Sequence, residues 1–162
     1  MRQAGPDQLP DVRALLEEAS AWLRTRGITQ WPDQFPAPWL EPAVARGETW
    51  LALHEGIPAG TTTLTWSDPV WAGVDGTAGY LHRLAVRRAA AGLGAFVLTW
   101  AADVTRRSGR RSLRLDCVAA NTGLRRYYEK AGFQHRGDTA LHGVEVSRYE
   151  LDLSQLPERQ PE

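Results

Sequence analysis

Apolar positions along the chain change rhythm several times, and each change marks an element. Leu9, Val12, Leu15, Leu16, Ala19, Trp22 and Leu23 recur at the spacing of one helix face, with Asp7 placed to cap the start and Gly27 to stop the end. Arg2 to Ala4, ahead of that helix, are too few to establish a strand. Between Ile28 and Pro42 four prolines, with Trp31 and Trp39, break any period, which predicts a long loop with at most a short helix around Trp39 to Arg46. Thr49 to His54 and Ala59 to Trp66 are β-prone runs joined across Glu55-Gly56, the pattern of a hairpin. A second loop, Asp68 to Gly79, carries Pro69, Trp71 and three glycines. Gly79 to Val86 reads as a strand and Ala95 to Arg107 as a helix. Ser112 to Val118 sets Leu113, Leu115 and Cys117 against Arg114 and Asp116, which predicts a strand with one buried face. A short helix over Asn121 to Lys130, stopped by Gly132, and a closing strand over Val144 to Leu153 complete the pattern; the tail after Pro157 reads as disordered. Strands alternating with helices predict an α/β fold with a mixed sheet.

Composition narrows the classes. A chain of 162 residues with 43% hydrophobic content suits a single domain, over 1–156, with a flexible tail over 157–162. Nineteen basic residues balance nineteen acidic ones, so nothing global favours nucleic acid or an anionic membrane. Lys130 is the only lysine, which reflects genome composition rather than function. One cysteine, Cys117, excludes an internal disulfide framework and a cysteine-based zinc cluster, and fits a reducing compartment. With no apolar leader and no window of membrane-spanning length, a cytoplasmic location is expected.

The order strand, glycine-containing loop, helix start over Gly79 to Gly94 makes an anion site. Unpaired N–H groups at a helix start point outward, and the helix dipole adds partial positive charge. Gly92-Leu93-Gly94 would form that turn, although glycines after a strand also mark ordinary tight turns.

Leu84-Ala85-Val86 leading into Gly92-Leu93-Gly94, then Asn121 and the run Tyr127-Tyr128-Glu129-Lys130-Ala131-Gly132-Phe133, resembles the GNAT superfamily of N-acetyltransferases. The strand Tyr80-Leu81-His82-Arg83-Leu84-Ala85-Val86 is also similar to the corresponding strand of arylalkylamine N-acetyltransferases. The resemblance implies the GNAT fold, a mixed central sheet flanked by helices. In it two parallel strands splay, here Gly79 to Val86 and Ser112 to Val118, and the pantetheine arm of acetyl-CoA lies in the gap.

Transfer of an acyl group from a thioester to an amine needs a base for the amine, donors for the carbonyl and an acid for the leaving thiolate. His82 is the candidate base, since imidazole titrates near neutrality and the resemblance places a catalytic histidine there; a core histidine is the other reading. Tyr128 is the candidate acid, at the position where the family has such a tyrosine, with packing against Leu124 as its alternative; Tyr127 is assigned the packing role. Asn121 would bond the pantetheine arm by resemblance, and is also a favoured helix cap. A backbone N–H near Leu84 to Val86 would polarise the carbonyl. Trp31, Trp39, Trp66 and Trp71 fall on or beside the loops that carry acceptor contacts in similar enzymes, and also suit anchoring of those loops. Asp116 would meet a cationic acceptor or pair with Arg114. Cys117 reads as a small core residue rather than a nucleophile. Arg106, Arg107, Arg110 and Arg111 suit a helix C-terminus, and an acidic partner or a nucleotide phosphate would also suit them.

The phosphate loop departs from the family pattern Val-x-x-x-x-[Gln/Arg]-x-x-Gly-x-[Gly/Ala]. After Val86 come Arg87-Arg88-Ala89-Ala90-Ala91-Gly92-Leu93-Gly94, two residues short, with Ala89 where Gln or Arg is expected. Arg87 and Arg88 are the side chains able to replace lost phosphate bonds, and weakened binding of free CoA is the expectation. The sequence therefore predicts an N-acyltransferase acting on a primary amine of a small molecule, monomeric or homodimeric, without a metal. Its donor is acetyl-CoA, another acyl-CoA, or an acyl-phosphopantetheine arm on an acyl carrier protein. A non-catalytic acyl-CoA-binding module is the alternative from another class.

Overall fold

The computed structural model describes residues 1–155, so the tail expected over 157–162 lies outside it. Seven strands form one mixed sheet in the order β1-β2-β3-β4-β5-β7-β6, flanked by helices. In chain order the elements are β1 (Arg2–Gln3), α1 (Leu9–Thr25), α2 (Ala37–Ala45), β2 (Thr49–His54), β3 (Ile57–Thr65), β4 (Ala78–Val86), α3 (Leu93–Arg107), β5 (Ser112–Val118), α4 (Thr122–Lys130), β6 (Gln134–Leu141) and β7 (Val144–Asp152). No helix among the described residues is long and apolar enough to cross a membrane.

The chain forms two compact units. One comprises Met1–Thr65 with Leu81–Trp100, the other Trp66–Tyr80 with the described residues 101–155. In the first, the apolar stripe of α1 supplies Val12, Leu15 and Leu16 to a core shared with Phe35, Leu40, Leu51 and Ala85. Each fully buried leucine of that stripe contributes roughly 1.5–3 kcal/mol. The stop at Gly27 holds: its φ of 74° is the left-handed conformation that ends a helix, and the Ile28 N–H returns to the Leu23 carbonyl at 3.0 Å. Asp7 does not cap α1. It sits in a 3-10 turn over Pro6–Gln8, and the helix begins after Gln8 with no side-chain cap. Arg2 and Gln3 do form a strand, paired with Leu51 and Trp50. The hairpin closes at His54↔Ile57, with positive φ at both Glu55 and Gly56, so β3 starts two residues before the expected Ala59.

In the second unit β4 and β5 pair in parallel over Ala78↔Ser112, Gly79↔Leu113 and Tyr80↔Arg114, and β5 continues antiparallel to β7 from Ser112↔Asp152 to Val118↔Val146. Strand β5 is buried on both faces rather than one. Leu113, Leu115 and Cys117 are buried, and so is Arg114, at 2% exposure, because Glu150 and the Tyr80 hydroxyl satisfy its guanidinium. Gly79 is required by close packing, since a Cβ there would stand 2.5 Å from Thr105 Oγ1. Strand β6 escapes the sequence pattern: among the described residues it pairs only with β7, it is largely solvent-facing, and its ladder is irregular between His135 and Asp138.

Candidate active site

The sequence candidates divide between the two units. In the first, β4 carries His82, Leu84, Ala85 and Val86. His82 is half-buried; its Nε2 lies 3.2 Å from Thr65 Oγ1, and its carbonyl accepts a hydrogen bond from Thr62 Oγ1 at 3.0 Å. Those two threonines of β3 fix both the ring and its backbone. Arg83, the next residue, has a φ of 51°, a left-handed conformation that costs a non-glycine residue about 1–3 kcal/mol. The strained conformation is anchored by its own side chain, which donates from Nη1 to the Trp39 carbonyl at 3.2 Å. Burial lowers the Arg83 pKa.

Past Val86 the chain turns tightly. Arg87 N–H bonds the Ala59 carbonyl at 2.8 Å, Ala90 N–H bonds Arg87 and Leu93 N–H bonds Ala90, and Gly92 takes a φ of 82°. These turns start α3 at Leu93, two residues earlier than expected. Among the described residues the N–H groups of Gly92, Gly94 and Ala95 donate to no acceptor. The two arginines of the loop differ. Arg87 is committed to Glu18 Oε2 at 3.2 Å and to the Pro58 carbonyl at 3.0 Å. Arg88 stacks on Trp22, its guanidinium carbon 3.8 Å from the ring centroid.

Trp31 packs edge-on against Phe35 at 6.2 Å beside the core, and its carbonyl accepts from the buried Ser20 hydroxyl. Trp39, on α2, is 54% exposed.

In the second unit, Asp116 faces Asp68, their carboxylate oxygens within 4.8 Å. Asp68 also caps the 3-10 turn Pro69–Trp71 by accepting from Val70 N–H at 2.9 Å. Asp116 does not pair with Arg114, which binds Glu150, and its cross-strand neighbour Arg148 reaches the Val70 carbonyl and the Trp71 ring. Burial first, and then the Asp68 charge, push the Asp116 carboxyl up to about 6. Because this pKa lies above the unfolded one, ionised Asp116 opposes folding: stability is greatest when it is protonated and declines as pH rises through about 6. Asp116→Asn is expected to raise stability by about 1–3 kcal/mol near pH 8 and by nothing near pH 4, a comparison read from urea unfolding at each pH. An equal gain at both would place the effect outside ionisation.

Tyr128 is the buried member of the tyrosine pair, at 6% exposure against 39% for Tyr127, which reverses the packing role assigned to Tyr127. Its ring lies among Phe133, Tyr149 and Tyr127. Burial is the main cause holding its phenol far above the usual range, so it stays protonated at any working pH. Cys117 is buried and its thiol is pushed up to about 12 by burial first, which makes it a poor nucleophile. Asn121 is buried and accepts from Leu124 N–H at 3.2 Å, so it caps α4. Trp66 is 40% exposed beneath Arg110, whereas Trp71 is a core residue packed with Ala78 and Tyr80. Arg106 approaches Asp103 and Arg110 donates to the Ala78 carbonyl, so these two arginines have local partners. Thr62, Thr65, Asp68 and Arg83 were not singled out in the sequence; only Asp68 carries a local signal, a capping residue directly before Pro69.

Residues 12–133 match the Acetyltransferase (GNAT) family. The chain is 32% identical over 141 residues to the uncharacterized N-acetyltransferase YesJ of Bacillus subtilis (strain 168), covering 80% of this chain and 78% of that protein. A GNAT-family acetyltransferase from Listeria monocytogenes 4b F2365 superposes with a TM-score of 0.73 at 27% identity, over 93% of both chains. The fold also matches that of yncA from Salmonella typhimurium, solved with its cofactor acetyl-CoA, with a TM-score of 0.65 at 18% identity over 98% of this chain and 96% of that one.

Proposed function

Because the chain belongs to the acetyltransferase (GNAT) family, we propose that it transfers an acetyl group from acetyl-CoA to a primary amine of a small molecule. The observation that carries this reading is the start of α3, where the N–H groups of Gly92, Gly94 and Ala95 donate to no acceptor among the described residues. A thiolate leaving group also needs a proton donor, and the phenol of Tyr128, on the helix that follows β5, takes that role.

The donor fits the loop after β4. Free N–H groups at Gly92, Gly94 and Ala95, at the start of a fifteen-residue helix, suit a pyrophosphate. Leu84 to Val86, Arg88 and Leu93 belong to the same strand and loop, and Asn121 is the residue assigned to the pantetheine arm. The thioester supplies the activated acetyl group. His82 takes the proton of the attacking amine, directly or through water, as the new C–N bond forms; a backbone N–H near Leu84 to Val86 stabilises charge on the carbonyl oxygen; and Tyr128 protonates the sulfur as the C–S bond breaks. Asp116 and Asp68 favour a cationic acceptor in its bound form. Trp39 and Trp66, both exposed, are the tryptophans suited to an apolar part of the acceptor.

Tyr128→Phe keeps the ring packed against Phe133 and Tyr149 and removes only the proton donor. Turnover is expected to fall about ten-fold or more while CoA affinity, measured by calorimetry, stays nearly constant. Unchanged turnover would assign Tyr128 to the core alone.

A further inference from the structure

At the loop side of α1 four charged side chains have partners that cancel them: Arg24 pairs with Asp33, and Arg87 pairs with Glu18. Two others have none. Arg88 and Arg26 approach the same indole, Trp22, with guanidinium carbons 3.8 Å and 5.2 Å from its centroid, and among the described residues neither guanidinium makes an ion pair or hydrogen bond. An indole face attracts each cation, but it offers no acceptor to ten guanidinium N–H donors and does nothing to relieve their mutual repulsion. Trp22 is half-buried, so it is a fixed platform; both arginines are exposed, so their donor edges reach solvent. Arg88 also belongs to the short loop that ends in the free N–H groups of Gly92, Gly94 and Ala95. The combination calls for a ligand with several anionic oxygens.

We infer that Trp22, Arg26 and Arg88 form a side-chain cradle for a phosphate group of the CoA donor, with Trp22 as the positioning residue. This rests on the donor proposed above, and it distinguishes the two loop arginines: Arg88, not Arg87, offsets the loop's shortening. The cradle draws on α1, which the glycine pattern does not involve. It opposes the weak CoA binding that the loop length alone suggests, because charge-assisted bonds from guanidinium replace those lost from backbone N–H groups.

Calorimetry with CoA, 3′-dephospho-CoA and acetyl-pantetheine on the full chain tests it. Arg26→Ala and Arg88→Ala are each expected to weaken CoA roughly ten-fold and to leave acetyl-pantetheine within about two-fold. Trp22→Leu should weaken CoA less, with a steeper loss as salt is raised, because the arginines remain but are no longer held. A loss confined to CoA assigns the cradle to the 3′-phosphate; an equal loss for 3′-dephospho-CoA assigns it to the pyrophosphate. CoA binding unchanged in both arginine variants overturns the cradle while leaving the acetyltransferase reading intact. Wild-type protein that binds acetyl-pantetheine as tightly as acetyl-CoA also overturns it and points to a carrier-borne arm. Failure of the wild-type protein to bind any of the three overturns the donor proposal itself.

Discussion

His82→Ala is expected to lower kcat/KM about a hundred-fold or more and to remove the acidic limb of its pH profile. A general base works only while it is unprotonated, so the wild-type rate falls on the acidic side of the profile. In the variant the rate should instead track the fraction of acceptor already present as free amine, rising toward higher pH. Donor affinity should be unaffected, because the ring faces Thr65 Oγ1 on β3 and the substitution leaves the loop after Val86 unchanged. Thr65→Val provides the companion measurement: with the ring present but its contact to Thr65 Oγ1 removed, a smaller loss of kcat/KM is expected. A pH profile for His82→Ala identical to wild type would make His82 a structural residue.

Arg114→Met is expected to cost about 3–5 kcal/mol of stability. Arg114 is buried at 2% exposure, bonds Glu150 at 2.7 Å, the Tyr80 hydroxyl at 3.2 Å and the Asp75 carbonyl at 2.5 Å, and lies over Trp71. Methionine fills much of the volume but leaves the Glu150 carboxylate in a largely buried setting with only Arg136 opposite it, and leaves the Asp75 carbonyl without its donor. For a chain of this size the loss corresponds to a fall in Tm of roughly 6–20 °C. Adding Glu150→Gln removes the stranded charge and should recover a substantial part of it. No recovery in the double variant would show that packing on Trp71, rather than the ion pair, carries the effect.

The legible parts of the fold are those where one physical signal dominates. Helix α1 has an uninterrupted apolar stripe and a glycine stop, and β5 has strict alternation, and both were found nearly to the residue. Elements whose stability comes from neighbours were harder to read. Strand β6, Gln-His-Arg-Gly-Asp-Thr-Ala-Leu, has neither alternation nor β-prone composition, and exists because β7 offers it a ladder. Arg114 reads as a solvent-facing strand residue because a sequence cannot show the carboxylate waiting on β7. The same limit explains the tyrosine pair: Tyr127 and Tyr128 are adjacent on a short helix, and only the positions of Phe133 and Tyr149 determine which is buried.

At the site, residue types were legible and their environments were not. His82 and Tyr128 stand out because their chemistry suits acyl transfer and their motifs resemble a family. The raised pKa of Asp116 comes from burial first and then from Asp68, forty-eight positions away in the chain, and the strain at Arg83 leaves no trace in residue identity. Trp31 and Trp71 show the opposite case, with tryptophans that suggest a pocket but support the core.

The central claim is acetyl transfer to a primary amine, and it is tested most directly by following both products of one reaction. Protein is incubated with acetyl-CoA and a series of primary amines, arylalkylamines beside polar polyamines, and free thiol and acetylated amine are quantified together. The account predicts equimolar thiol and amide with at least one primary amine, favouring acceptors that carry an apolar group. Thiol release without amide, or no release while acetyl-CoA is bound, would contradict it.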